Sequence, residues 1–385
     1  MTSPFERRIA ACQRRLADGN ADLLVCFPSP NLTYLTGFEE SPSERHLLLF
    51  VPEQDDPALV APTMYEDQLA ALPVPSLQPR LWNDADDPRE VVAGVLEEYS
   101  MGGAGSDSGT VLVDDRLWAT FAQDLRELLP GADFGLASTV LEPLRIRKDD
   151  VELEALRRAG AVADRVSLEI RQRGDDLIGT TESELATEIE RSLAAAGGEG
   201  PAFETIVAAG PNGARPHHHS GSREITAGDP IVLDFGAFVP AALESGTGRY
   251  PGDQTRTIVV GEPPAEYERV HETVLTAQRA AVDAVEPGVT AGSIDRAARS
   301  VIEEAGYGDA FVHRTGHGVG LEVHEPPYIV AGNDRELEPG MVFSVEPGIY
   351  LEDEFGVRIE DLVVVTEDGA ERLNETPRGW ETDAE

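Results

Sequence analysis

Apolar residues recur at helical spacing in the opening stretch "FERRIAACQRRLADGN", which predicts a helix closing on Gly19. Four short apolar runs follow, "DLLVCF", "HLLLFV", "ALVA" and "TVLVD", separated by amphipathic pieces such as "LWATFAQDLRELL". Strands alternating with helices over residues 5–140 predict an α/β domain.

The texture changes around "LEPLRIRKDD", residues 141–150. We place a domain boundary there, with an N-terminal α/β domain over 1–142 and a second domain over 143–385. In the second, Asp149 or Asp150 can cap a long helix whose inner face carries Leu156, Ala163, Val166 and Ile170. Another helix opens with Thr181 and Glu184 at capping-box spacing, carries Leu185, Ile189 and Leu193, and ends at Gly197. The runs "ETIVAAG", "PIVLDFGA" and "QTRTIVV" predict strands, and helices are expected over about 264–285 and 292–305. A last strand group holds "MVFSVEPGIY" and "GVRIEDLVVVT". Strands in hairpins with helices in pairs predict α+β rather than a doubly wound sheet. Paired helices followed by strands occur twice, a slight indication of internal duplication.

A length of 385 residues fits two or three domains. Charge narrows the range of partners. The chain carries 71 acidic and 31 basic residues, a net charge of −40, and Lys148 is its only lysine. Acidic runs such as Glu182 to Glu184 and Glu352 to Glu354 read as solvated faces. Such a surface repels phosphate and argues against nucleic acid or an anionic membrane as partner. It stays hydrated in concentrated salt, where screening removes self-repulsion, so a salt-loving host is expected. The low-lysine, high-acid composition resembles that of haloarchaeal cytosolic proteins. Cys12 and Cys26 are too few for a disulfide framework. The N-terminus has no signal-peptide pattern, and no stretch approaches the roughly 18 apolar residues of a membrane span. A soluble, cytoplasmic protein is expected.

Several polar residues sit in apolar surroundings. Asp234 lies in "IVLDFGA", Glu346 in "SVEPG" and Glu360 in "VRIEDLVVV", each expected in mid-strand. Asp253 follows in "YPGDQTRT", and "GHGVGLEVHE" holds His317 and His324 among glycines. Burying one unpaired carboxylate costs several kcal/mol. A strand-end cap or an arginine partner can account for one such acid, but Arg256 and Arg358 are the only arginines inside these runs. A pair of divalent metal ions could hold four carboxylates and an imidazole at once. Oxygen ligands with one nitrogen suit Mn²⁺, Co²⁺, Fe²⁺ or Zn²⁺.

Asp234, Asp253, His317, Glu346 and Glu360 occur in the order and context found in the pita-bread metallopeptidases. The likeness is strongest to the Xaa-Pro dipeptidase (prolidase) and aminopeptidase P branch. "FETIVAAGPNGARPHH", "IVLDFGA", "DQTRT", "TGHGVGLEVHE", "VFSVEPGIY" and "GVRIEDLVVVT" resemble that branch's motifs, and "NLTYLTGF" resembles part of its N-terminal domain. The resemblance implies a creatinase/prolidase-type α/β domain followed by an α+β pita-bread catalytic domain.

It also implies roles. Asp234 would chelate one metal, Asp253 and Glu360 would bridge two, and His317 and Glu346 would complete the second. Glu346 would move a proton, His324 and His217 would contact substrate, His313 would stand nearby, and Arg358 would orient substrate and a bridging acid. Phe203 and the "PHHHSG" loop would flank a proline ring, while His218 and His219 read as loop residues. The implied reaction is hydrolysis of the N-terminal Xaa-Pro bond of dipeptides or short peptides by a homodimer holding two ions, Mn²⁺ or Co²⁺ first. A metal-independent creatinase-like C–N hydrolase and a non-enzymatic interaction protein are the alternatives. One departure stands out. "VPAALESGTG" lengthens the turn between Asp234 and Asp253, leaving strand register intact but changing the mouth of the site or a subunit contact.

Overall fold

The computed structural model describes residues 3–101, 109–243 and 246–382. Its contacts divide the chain into two units, Met1–Arg145 with Leu243–Gly248, and Ile146–Ala242 with Arg249–Glu385.

In the first unit, helix α1 (Pro4–Asp18) starts from a Ser3/Glu6 capping box and ends at Gly19. It buries Phe5, Ile9, Cys12 and Leu16, one stripe at helical spacing. Helices α2 (Pro30–Thr36), α3 (Glu66–Ala70), α4 (Pro88–Glu98), α5 (Ala119–Leu128) and α6 (Ser138–Arg145) alternate with strands. The strands are β1 (Leu23–Cys26), β2 (Leu48–Pro52), β3 (Ala58–Pro62), β4 (Gln78–Trp82), β5 (Thr110–Val113) and β6 (Asp133–Leu136). They form one mixed sheet in the order β4-β3-β2-β1-β5-β6. Cys12 and Cys26 are buried and unbonded, and burial pushes both thiols up, so neither is a reactive thiolate.

The lengthened turn has a structural partner in this unit. Thr247 donates to the Gly37 carbonyl from its amide (2.8 Å) and its hydroxyl (2.9 Å). Gly37 caps α2 with φ 70°, a left-handed conformation that favours glycine. Glu244 and Ser245 of the turn lie outside the described residues.

The second unit opens with α7 (Asp150–Arg171) and α8 (Glu182–Ala195). Asp149 and Glu152 make the first capping box, Thr181 and Glu184 the second. Leu156, Ala163, Val166 and Ile170 of α7 and Leu185, Ile189 and Leu193 of α8 are all buried. One expectation fails here. Glu182 is not part of a solvated face but fully buried, because its carboxylate collects donors from three other segments.

Strands β7 (Ile206–Ala209), β8 (Pro230–Phe235) and β11 (Gln254–Val259) form an antiparallel sheet in the order β11-β8-β7. Between β8 and β11, β9 (Phe238–Pro240) pairs with β10 (Arg249–Pro251). Helices α9 (Tyr267–Asp283) and α10 (Ala291–Glu304) follow. Strands β12 (Gly316–Gly318), β13 (Glu325–Ile329), β14 (Val342–Val345), β17 (Asp361–Thr366) and β18 (Gly369–Arg372) make a sheet ordered β13-β12-β14-β17-β18. The hairpin β15 (Gly348–Leu351) and β16 (Phe355–Arg358) stands apart from it. One core joins α7 and α8 to the three-stranded sheet, and a larger one joins α9 and α10 to the later strands.

Glu346 and Glu360 are not in mid-strand. Each occupies a break, between β14 and β15 and between β16 and β17. Pro347 has no N–H to continue a ladder, and the Glu360 amide leaves its own strand line to donate to the Thr255 carbonyl at 3.1 Å. Asp253 likewise lies in the short step before β11, while Asp234 is within β8 as expected.

Candidate metal centre

Asp234 sits opposite Thr255 in the β8–β11 register, so the ladder brings it alongside the step that carries Asp253. His317 is the middle residue of β12. A Cβ on Gly316 would run into the Ser344 carbonyl, and one on Gly318 into the Pro326 carbonyl. Glycine on both sides is therefore what lets β12 approach its neighbours with the imidazole between them. The breaks at Glu346 and Glu360 turn those two carboxylates toward the same space.

All ten residues singled out from the sequence line one cavity of about 280 Å³: Phe203, His217, Asp234, Asp253, His313, His317, His324, Glu346, Arg358 and Glu360. Ligand atoms of Asp253, His317 and Glu360 lie within 4.8 Å of one another. His317 Nε2 is 3.6 Å from Asp253 Oδ2 and 3.4 Å from Glu346 Oε1. The His317 and His324 rings stand 4.1 Å apart. The Ser344 hydroxyl accepts from the His317 amide at 3.1 Å and donates to Glu346 at 3.2 Å.

One guanidinium faces these acids from within. Arg358 Nη2 donates to Asp234 Oδ2 at 2.6 Å, Nη1 to the Tyr350 hydroxyl at 2.8 Å, and Nε to the Thr255 hydroxyl at 3.1 Å. Thr255 in turn donates to Glu360 Oε2 at 2.7 Å. Arg358 thus reaches Asp234 directly and Glu360 only through Thr255, whereas the resemblance placed it on a bridging acid. The strand register decides this, since Thr255 stands between them. Arg256, the other arginine in these runs, pairs with Asp361 at 2.8 Å instead.

Four ligand carboxylates outnumber the two arginines, Arg314 and Arg358, that line the same cavity, and leave excess negative charge there. Burial first, then the charges of Asp234 and Glu346, push Asp253 well above the usual carboxylate range. Burial and the Asp253 charge do the same to Glu360. Burial raises Glu346 to about 7, against the opposing pull of Arg358. His317 is pushed down to about 3 by burial and by His324, so its ring is neutral and has a lone pair to give. Asp234 Oδ1 is buried without a hydrogen-bond partner. Oxygen-rich donors, one neutral imidazole and an orphaned carboxylate oxygen fit divalent cations, which would offset the buried negative charge.

Sequence reasoning missed residues that hold the others. Tyr350 links His313 Nε2 (2.8 Å) to Arg358, Thr255 links Arg358 to Glu360, and Arg314 and Val323 also line the cavity. Thr255 had a signal, being a polar residue in a strand buried at every position. Tyr350 had none, since its ring reads as an ordinary apolar position. His218 and His219 do lie in a loop, but each meets an acid, Glu182 and Glu204, at 2.8 Å.

A buried centre of carboxylates and imidazole in an α+β unit that follows an α/β unit in the chain fits a metal-dependent hydrolase. Residues 154–367 match the metallopeptidase family M24, and residues 8–147 match the creatinase/prolidase N-terminal domain. A probable dipeptidase PepE of Mycobacterium bovis is 42% identical over 381 residues, 97% of this chain and 95% of that protein. An Xaa-Pro dipeptidase of Lactobacillus helveticus is 36% identical over 95% of this chain and 96% of its own. The crystal structure of a recombinant prolidase from Thermococcus sibiricus superposes with a TM-score of 0.87 at 36% identity, covering 97% of this chain and 98% of that one. The chain belongs to metallopeptidase family M24. It is a metallopeptidase with a creatinase/prolidase N-terminal domain and a pita-bread catalytic domain.

Proposed function

We propose that this metallopeptidase hydrolyses the bond between an N-terminal residue and a following proline in dipeptides or short peptides. The observation that carries the reading is the convergence of Asp234, Asp253, His317, Glu346 and Glu360 on one cavity, with the Arg358 guanidinium bonded to Asp234. Asp234 would hold one divalent ion, His317 and Glu346 the other, with Asp253 and Glu360 shared. Bound there, the ions supply an activated water and polarise the scissile carbonyl.

The chain's own residues do the rest. Glu346, which accepts from the Ser344 hydroxyl, would take a proton from the attacking water and return it to the leaving nitrogen. That nitrogen belongs to proline, which has no N–H to donate and a ring that fixes its shape. Phe203 and His217 would flank the ring, and His324 would donate to the developing oxyanion. Arg358, locked by Tyr350 and Thr255, holds Asp234 where the substrate's free amine would approach. An intact ligand set speaks against a metal-independent creatinase-like hydrolase and against a non-enzymatic protein.

The relatives named Xaa-Pro dipeptidase and prolidase support the proline preference. Mn²⁺ or Co²⁺ is proposed as the working ion ahead of Zn²⁺ or Fe²⁺, in a cytoplasmic homodimer adapted to high salt. The test compares Ala-Pro with Ala-Ala in molar salt, with metal analysis alongside. Ala-Pro should be cleaved with strong preference, a chelator should abolish cleavage, and Mn²⁺ or Co²⁺ should restore it. Equal rates on the two dipeptides would reject the proline reading.

A further inference from the structure

Glu182 stands at the first position of α8, with a side chain that has no exposed surface. Its carboxylate accepts four hydrogen bonds. Oε1 takes the Ala209 amide at 2.8 Å and Asn212 Nδ2 at 2.9 Å. Oε2 takes His218 Nε2 at 2.8 Å and the Gly221 amide at 3.1 Å. An acid buried so completely is costly unless donors surround it. Burial alone would raise this carboxyl, but the four donors outweigh it and bring the group below the usual carboxylate range.

Those donors come from the end of β7, the turn after it, and the 216–221 loop. Pro216, His217 and His218 of that loop line the metal-centre cavity, whereas Glu182 does not. The Pro216 carbonyl also meets Nη1 of Arg358 at 3.5 Å. At the far side, the Ser220 hydroxyl accepts from the Val207 amide at 2.8 Å and donates to the Thr205 carbonyl at 3.1 Å. Between these ties, the bond from His218 to Glu182 anchors the residue next to His217. Glu182 therefore acts on the cavity only at second hand, chiefly through the loop and also through β7, whose Ile206 lines it.

We propose that Glu182 is a positioning residue whose carboxylate clamps His218 and Gly221 and so holds His217 on the substrate side of the cavity. The proposal rests on the peptidase reading for its kinetic readout. Without the clamp, His217 is free to move away from the substrate, and a misplacement of about 1 Å can cost on the order of 100-fold.

Glu182→Gln keeps the size but turns one acceptor oxygen into an NH₂ that cannot accept from Gly221 or His218. In the metal-loaded enzyme, kcat/KM on the wild-type protein's best dipeptide should fall by about 10- to 100-fold, more through KM than kcat, with metal content unchanged. His218→Gln puts an amide nitrogen near the position of Nε2 and should recover most of the activity that His218→Leu loses. The His218 pair keeps the test open should Glu182→Gln fold poorly. Unchanged kcat/KM, activity lost in proportion to metal, or equal loss in His218→Gln and His218→Leu would each overturn the proposal. Failure of the Xaa-Pro reading would show in the wild type alone. Hydrogen exchange of the Gly221 amide probes the clamp without turnover: it should quicken in Glu182→Gln and His218→Leu but not in His218→Gln, and equal exchange in all would also overturn the clamp.

Discussion

His317 and His324 are near neighbours with different surroundings. His317 is buried and lies within 3.6 Å of two carboxylates, while His324 is exposed at the cavity and, among the described residues, meets no acid that closely. His317→Ala should lose activity and at least one equivalent of metal. His324→Ala should lose activity but keep both equivalents, and metal analysis showing equal loss would contradict that division. A third histidine contributes to acid sensitivity away from the site. His271 on α9 is pushed down to about 4, by burial first and then by Arg171, and its Nε2 has no partner. The unfolded chain takes up this proton near 6.5, so it binds more protons than the fold between those values. The stabilisation is fully present above pH 6.5 and is lost as pH falls toward 4, on the order of 3 kcal/mol from this one residue. His271→Leu should flatten that leg of a urea-unfolding pH series, and identical slopes would rule the residue out. At this scale the chemically unusual residues were legible, because an acid or histidine among apolar neighbours needs a reason to be there. Tyr350 and Glu182 were not, because an aromatic in an apolar run and an acid at a helix start look ordinary until their partners are known.

Helix ends were legible for a related reason: a cap is decided within four residues. Asp149 accepts from the Val151 and Glu152 amides at 3.0 Å, and the Glu152 carboxylate in turn accepts from the Asp149 amide at 2.9 Å. Asp149→Ala should lower stability by about 1 kcal/mol in urea unfolding while leaving the metal content unchanged. A loss of several kcal/mol would mean that Asp149 does more than cap. Strand limits behaved differently. "MVFSVEPGIY" and "GVRIEDLVVVT" each read as one run, yet each divides at its glutamate, β14 into β15 and β16 into β17. Pro347 and Gly348 mark the first break, but in "GVRIEDLVVVT" the apolar pattern carries no mark of a change of sheet. What makes each break is a partner far away, Thr315 for the Glu346 amide and Thr255 for the Glu360 amide.

Seventy-one acids against thirty-one bases repel one another across the whole molecule. Molar KCl shortens the Debye length to about 3 Å and should remove most of that repulsion. Melting temperature and activity should both rise from dilute buffer to molar KCl, and equal stability in the two would give the acidic surface another purpose. Sequence by itself determined the charge balance, the helix caps, the order of the elements and the kinds of side chain a metal would need. These depend on composition, on spacing within a few residues and on the chemistry of single groups. Only the tertiary structure decided that Arg358 serves Asp234 and Arg256 serves Asp361, that Thr255 and Tyr350 bind the site together, and that Glu182 is buried behind the His217 loop. Each of those outcomes rests on which distant strands lie side by side and in what register, and a one-dimensional pattern of apolar and polar residues is compatible with many such pairings.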